Sequence, residues 1–157
     1  MSKSLHDVDF NLWLELTIKQ LENNEFTVLD TVNLIEELKD LGKAEKNALE
    51  SNLMILLAHL LKLKVQADAP DMMKNSWYNS VIEHRKRIKK QLSKMPSLTS
   101  YLPNILEESY QDGRDIAIKE GKLASFGVRI PDELEYPEQC PFTVAEILDD
   151  EFYGIRD

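Results

Sequence analysis

Cysteine is almost missing from this chain. Cys140 is the only one, so no internal disulfide framework can form, and such usage fits a reducing compartment. Glycine is scarce at five residues, while Leu, Glu and Lys are plentiful, a balance that leans towards helix. Long apolar runs are lacking too. The longest, Leu53–Leu61, is interrupted by His59 and followed by Lys62, and is too short to span a bilayer. The opening MSKSLHDVDF has none of the apolar core of a signal peptide. There is no strand-like alternation of useful length, no internal repeat and no low-complexity tract. These absences predict a cytoplasmic all-α protein that does not engage a membrane.

What is present is a chain of 157 residues, 43% apolar and 30% charged, the make-up of one ordinary globular domain spanning 1–157. Net charge is −9 but unevenly spread: 3 basic against 9 acidic residues in 1–42, 11 against 5 in 43–95, and 5 against 14 in 96–157. Either the acidic ends fold against the basic middle, or that middle meets an anionic partner. The acidic total argues against a generic nucleic-acid binder.

The stretch Leu49–Gln66 organises the rest. Its leucines at 49, 53, 56, 60 and 63 make a continuous helical seam, which Leu57 and Leu61 widen. Before it, Asp9 caps a first helix ending near Asn23, with Phe10, Trp13, Leu14, Thr17 and Leu21 on one face. Asp30 caps a second, striped by Leu34, Leu38 and Leu41 and stopped by Gly42. The central helix then starts near Lys43–Glu45 and ends by Ala67–Pro70. A loop over 67–75 leads to a fourth helix capped by Ser76 and running to about Lys94. A fifth, from Ser97 to about Glu120, is closed by Gly121 and kinks or restarts near Pro103. Residues 122–142, with Gly127, Pro131, Pro137 and Pro141, read as an irregular arm. The capping box Thr143-Val-Ala-Glu146 opens a short last helix to about Asp149. The expectation is a helical bundle of about five main helices over 8–120, then an arm with a short helix over 121–157.

Several patterns fall in order along nearly the whole chain: Asp9-Phe10 with Trp13, Leu29-Asp30 with Asn33-Leu34 and Glu36-Glu37, and Leu41-Gly42. After them come His59-Leu60-Leu61-Lys62, Ser76-Trp77 with Arg85, Pro96-Ser97-Leu98, and Cys140-Pro141-Phe142-Thr143. Together they resemble the bacterial family catalogued as "domain of unknown function 29". The resemblance implies an all-α bundle with an extended C-terminal arm and brings no known activity. One departure is Leu63, where the family often places Trp.

A few residues need explaining. Arg85 falls at the core face of the fourth helix, among Trp77, Val81, Ile88, Leu92 and Met95. It must snorkel out or pair with a carboxylate, because an unpaired buried charge costs several kcal/mol. Glu37 on the second helix and Asp112 on the fifth are placed to pair with it. His59 flanks the central seam, and an acid–base or metal role would need it to meet Glu36 or Glu37. No metal motif is present, and Glu83-His84 point about 100° apart on a helix. Within Arg85-Lys86-Arg87-Ile88-Lys89-Lys90, the four charges Lys86, Arg87, Lys89 and Lys90 can be exposed, either as solvated surface or as contacts to an anion or nucleic acid. Cys140 has no sequence-near base and reads as an inert thiol. Leu134, Tyr136, Phe142, Val144, Ile147 and Leu148 are apolar enough to dock the arm on its own bundle or on a neighbour.

No catalytic residue, metal or cofactor is assigned, and the reading leans away from an enzyme. It favours an interaction or regulatory module with a protein partner or a second copy of the chain. Nucleic-acid binding through the basic fourth helix is the alternative, and an enzyme or metal site using His59 with Glu36 or Glu37 is a second.

Overall fold

A computed structural model describes residues 2–123 and 128–156, and Gly127, counted with the arm, lies outside the described residues. The described residues contain helices and turns without a strand. The helices are α1 (Leu5–Val8), α2 (Phe10–Glu22), α3 (Thr31–Val65), α4 (Asp71–Lys94), α5 (Leu102–Leu123) and α6 (Val144–Leu148). Short 3-10 turns lie at Phe26–Val28, Pro96–Tyr101 and Glu133–Glu135. The chain divides into two compact units, 1–45 and 46–157. No helix among the described residues is long and apolar enough to cross a membrane.

In the first unit, Asp9 caps α2 by accepting the Leu12 N–H at 3.0 Å. Asp30 caps α3 at Asn33 N, 3.3 Å, and its other oxygen accepts the Trp13 indole N–H at 3.1 Å, tying α2 to the start of α3. The extra turn α1 is made by a Ser4–Asp7 capping box that sequence reading overlooked. Only Trp13 and Thr17 are fully buried among the described residues of this unit. The expected stripe of the second helix is not: Leu38 is 59% and Leu41 65% exposed.

The expected break at Gly42 does not occur. Residues 31–65 form one helix of 35 residues, because a glycine stop needs a left-handed residue and nothing around Gly42 forces one. Good helix formers flank it on both sides, and a lone helical glycine costs only about 1 kcal/mol.

The second unit is built on the later half of α3. Leu49, Leu53, Leu56, Leu57, Leu60 and Leu61 are all fully buried. Helix α4 begins at Asp71, not at Ser76: Pro70 presets the first turn, and the Ser76 hydroxyl donates back to Met73 O at 2.8 Å instead of capping. Pro103 sits in the first turn of α5, so the chain restarts there without a kink, and Gly121 lies inside α5. Gly113 lets α5 approach α3 closely, since a Cβ there would fall 2.7 Å from Met54 O. Gly154, at φ 92°, does the same for the C-terminal segment against Leu60 O.

The arm is held by donors from α5. Tyr110 donates to Pro137 O, Gln111 to Glu138 O at 2.6 Å, and Arg114 to Tyr136 O at 3.2 Å. Tyr136, Phe142, Ile147 and Phe152 enter the core, with Val144 and Leu148 packed beside them, whereas Leu134 is 88% exposed. The Thr143 capping box of α6 forms as expected.

The two helical glycines should respond oppositely to alanine. Gly42→Ala, which meets nothing within 4 Å, should raise stability by about 0.5–1 kcal/mol. Gly113→Ala should lower it by about 1–3 kcal/mol through overpacking. Urea denaturation checks both, and shifts of the same sign would contradict the packing described.

Candidate functional sites

The pairing expected for Arg85 is corrected by the structure. The side chain is 2% exposed, but its partners are main-chain carbonyls: Nε donates to Ile147 O and Nη2 to Phe152 O, both at 2.7 Å. Asp112 is exposed beside Glu50 and Glu108, and Glu37 accepts from His6 instead. Two carbonyls cannot neutralise a cation, and burial lowers the Arg85 pKa, while Tyr153, Asp150 and Asp149 work against that shift. Its Nη1 is buried and has no hydrogen-bond partner among the described residues.

Arg85 lines a cavity of about 770 Å³ together with Ile82, Lys86, Lys89, Lys90, Asp150, Glu151 and Tyr153. Lys86, Lys89 and Lys90 are exposed on one stretch of α4, and Lys89 pairs with Asp150 at 3.0 Å. Arg87 is exposed as well but pairs with Glu83 along the helix and does not line the cavity. The structure therefore brings together three of the four basic residues singled out in the sequence.

Among the described residues, His59 does not meet a carboxylate. Its Nδ1 donates to Ile55 O at 2.8 Å and lies 3.2 Å from the Ser80 hydroxyl. His84 Nδ1 donates to Ser80 O at 2.8 Å and lies 3.3 Å from that same hydroxyl. Since carbonyls only accept, the ring nitrogens facing Ser80 are the protonated ones, so neither imidazole is set to take the serine proton. Burial lowers the His59 pKa. Glu36 is exposed. Among the described residues, no group of three or more His, Cys, Asp or Glu could hold a metal ion. The Cys140 thiol, half-buried and donating to Phe142 O at 3.4 Å, is pushed up to about 11 by burial, far from a reactive thiolate.

Sequence reading missed two residues. Lys62 is 4% exposed, pairs with Glu120 and lies 5.8 Å from the Trp77 ring centre. Burial brings its pKa down to about 8. Its place one residue after Leu61 in the leucine seam was the signal. His6 packs edge-on to Trp13 at 4.8 Å and donates from Nε2 to Glu37 at 2.7 Å, which raises its pKa. No motif marks it, because its partner lies 31 residues away.

The family model for "Domain of unknown function DUF29" matches residues 5–153. The chain belongs to this family. No curated protein matches it, and no solved structure does. Membership of the DUF29 family agrees with the all-helical fold and supplies no activity.

Two titrations test these environments. Below its ordinary 6.5, His6 is charged in both states and its bond to Glu37 is fully present. As pH rises through the elevated folded value the stabilisation is lost, so His6→Asn should flatten that decline in a chemical-denaturation series. Lys62 has the opposite sense. Between about 8 and its ordinary 10.5 the unfolded chain binds the extra proton, so stability rises with pH, and Lys62→Met should abolish that rise. An unchanged pH profile in either variant would contradict the corresponding environment.

Proposed function

We propose that this protein is an interaction module that binds a protein partner through its N-terminal unit. The observation that carries this reading is the exposed stripe Ile35, Leu38 and Leu41 on α3. It has the spacing of a buried helix face, yet these side chains are largely open to solvent. Among the described residues, twelve of the nineteen exposed large apolar side chains fall within 2–45, including Phe10, Leu16 and Phe26. Soluble proteins seldom leave apolar surface concentrated in this way unless something docks on it. A unit with only Trp13 and Thr17 fully buried among its described residues also has little core of its own, and a partner's apolar face would supply one.

Charge narrows the partner. Residues 1–45 carry 4 basic and 10 acidic side chains, so an apolar surface with a basic rim complements them, whereas a second copy would set like charges together. The partner is therefore a protein presenting an apolar helix or groove flanked by Lys and Arg.

The test uses the full chain as bait, with the captured protein then purified and titrated. Leu38→Gln with Leu41→Gln should weaken binding at least about tenfold, the loss expected from interface anchors worth more than 1 kcal/mol each, and should leave the melting temperature unchanged. A self-associating chain, a captured partner with an acidic contact surface, or binding unaffected by the double variant would overturn the reading. So would a fall in melting temperature of the size that buried leucines give, because it would mean that the stripe is covered within the chain itself.

A further inference from the structure

The cavity beside α4 is not used by the interaction surface, and it has the chemistry of a small-ligand site. We propose that it binds a small phosphorylated ligand with an apolar or aromatic body, of the size of a mononucleotide. Three observations converge on this. The cavity, about 770 Å³, lies within the roughly 300–1,000 Å³ typical of small-molecule sites. Its basic residues, Arg85, Lys86, Lys89 and Lys90, outnumber Asp150 and Glu151, and the ammonium groups of Lys86 and Lys90 suit phosphate oxygens as compact point charges. Ile82 and the Tyr153 ring line the same space and give an apolar body something to rest on.

Energetics point the same way. Arg85 is almost completely buried, two of its nitrogens are fixed by Ile147 O and Phe152 O, and Nη1 has no acceptor among the described residues. A buried donor left unpaired is costly, more so on a charged group, and an anionic ligand in the adjoining cavity would offset the charge that two carbonyls leave unneutralised. The carbonyl bonds hold the guanidinium in place beforehand, so little ordering is needed when a ligand arrives. Asp150 and Glu151 on the same wall disfavour a long polyanion tracking across α4, while they can accept hydrogen bonds from the hydroxyls of a sugar. That combination separates a small ligand from a nucleic-acid strand.

The experiment is calorimetric titration of the full chain at low ionic strength with adenosine monophosphate, inorganic phosphate and a short single-stranded RNA. Adenosine monophosphate should bind more tightly than phosphate. Lys86→Ala with Lys90→Ala, both exposed and so neutral to the fold, should weaken it at least about tenfold, the loss of charge-assisted contacts. Tyr153→Leu should weaken the nucleotide and leave phosphate unchanged. No binding of either anion, binding indifferent to the lysine pair, or phosphate binding as tightly as the nucleotide would overturn the proposal. RNA binding more tightly than the nucleotide with a steep salt dependence would also overturn it, in favour of a nucleic-acid strand. Arg85 itself is left unchanged in these variants, because its loss would free the Ile147 and Phe152 carbonyls and unseat the C-terminal segment.

Discussion

The burial of α3 between Leu49 and Leu63 is the constraint on which the second unit depends. Six leucines there have no exposed surface, and burying each is worth roughly 1.5–3 kcal/mol, so neighbouring elements must surround this part of the helix. A helix covered on so many sides demands close approach somewhere, and Gly113 and Gly154 supply it by bringing α5 and the C-terminal segment against the α3 backbone. Burial of the polar residues comes from the same demand. Lys62 is on the covered part of the helix and is answered by Glu120 and the Trp77 ring.

The C-terminal arm shows how irregular backbone can be placed against a helical core. An arm without regular structure has unpaired carbonyls, which must find donors if they are covered. Tyr110, Gln111 and Arg114, close together on α5, donate to carbonyls within residues 133–138. Arg85 does the same for Ile147 and Phe152. In both places a long polar side chain replaces the hydrogen bonds that a strand or helix would have made for itself, leaving the apolar groups of Tyr136, Phe142 and Ile147 free to enter the core.

Local chemistry decided which parts were legible in the residues. Asp9, Asp30 and Thr143 read as caps because a short polar acceptor before an apolar period has few other uses, and all three cap. The seam at Leu49–Leu63 was legible from its period. Gly42 misled because a glycine marks a stop only when the chain turns left-handed there, and that depends on tertiary surroundings. The partners of Arg85 were beyond reach for a related reason: every residue carries a carbonyl, so a carbonyl partner leaves no trace in composition, whereas Glu37 and Asp112 stood out as charges. The exposed stripe of α3 has the same pattern as a buried one, and only what packs around each distinguishes them. Of the basic run, Lys86, Lys89 and Lys90 were legible as exposed charge. The cavity beside them was not, because Tyr153, Asp150 and Glu151 come from about 60 residues further on.

Two roles divide one continuous helix: residues 49–63 of α3 hold a core, and residues 31–45 offer a surface. Amide hydrogen exchange along Thr31–Val65 tests that division most directly, because protection reports local opening free energy residue by residue. Amides of 49–63 should exchange only with global unfolding, while those of 31–45 should exchange through far easier local opening. Equal protection along the whole helix in the isolated chain would contradict the division.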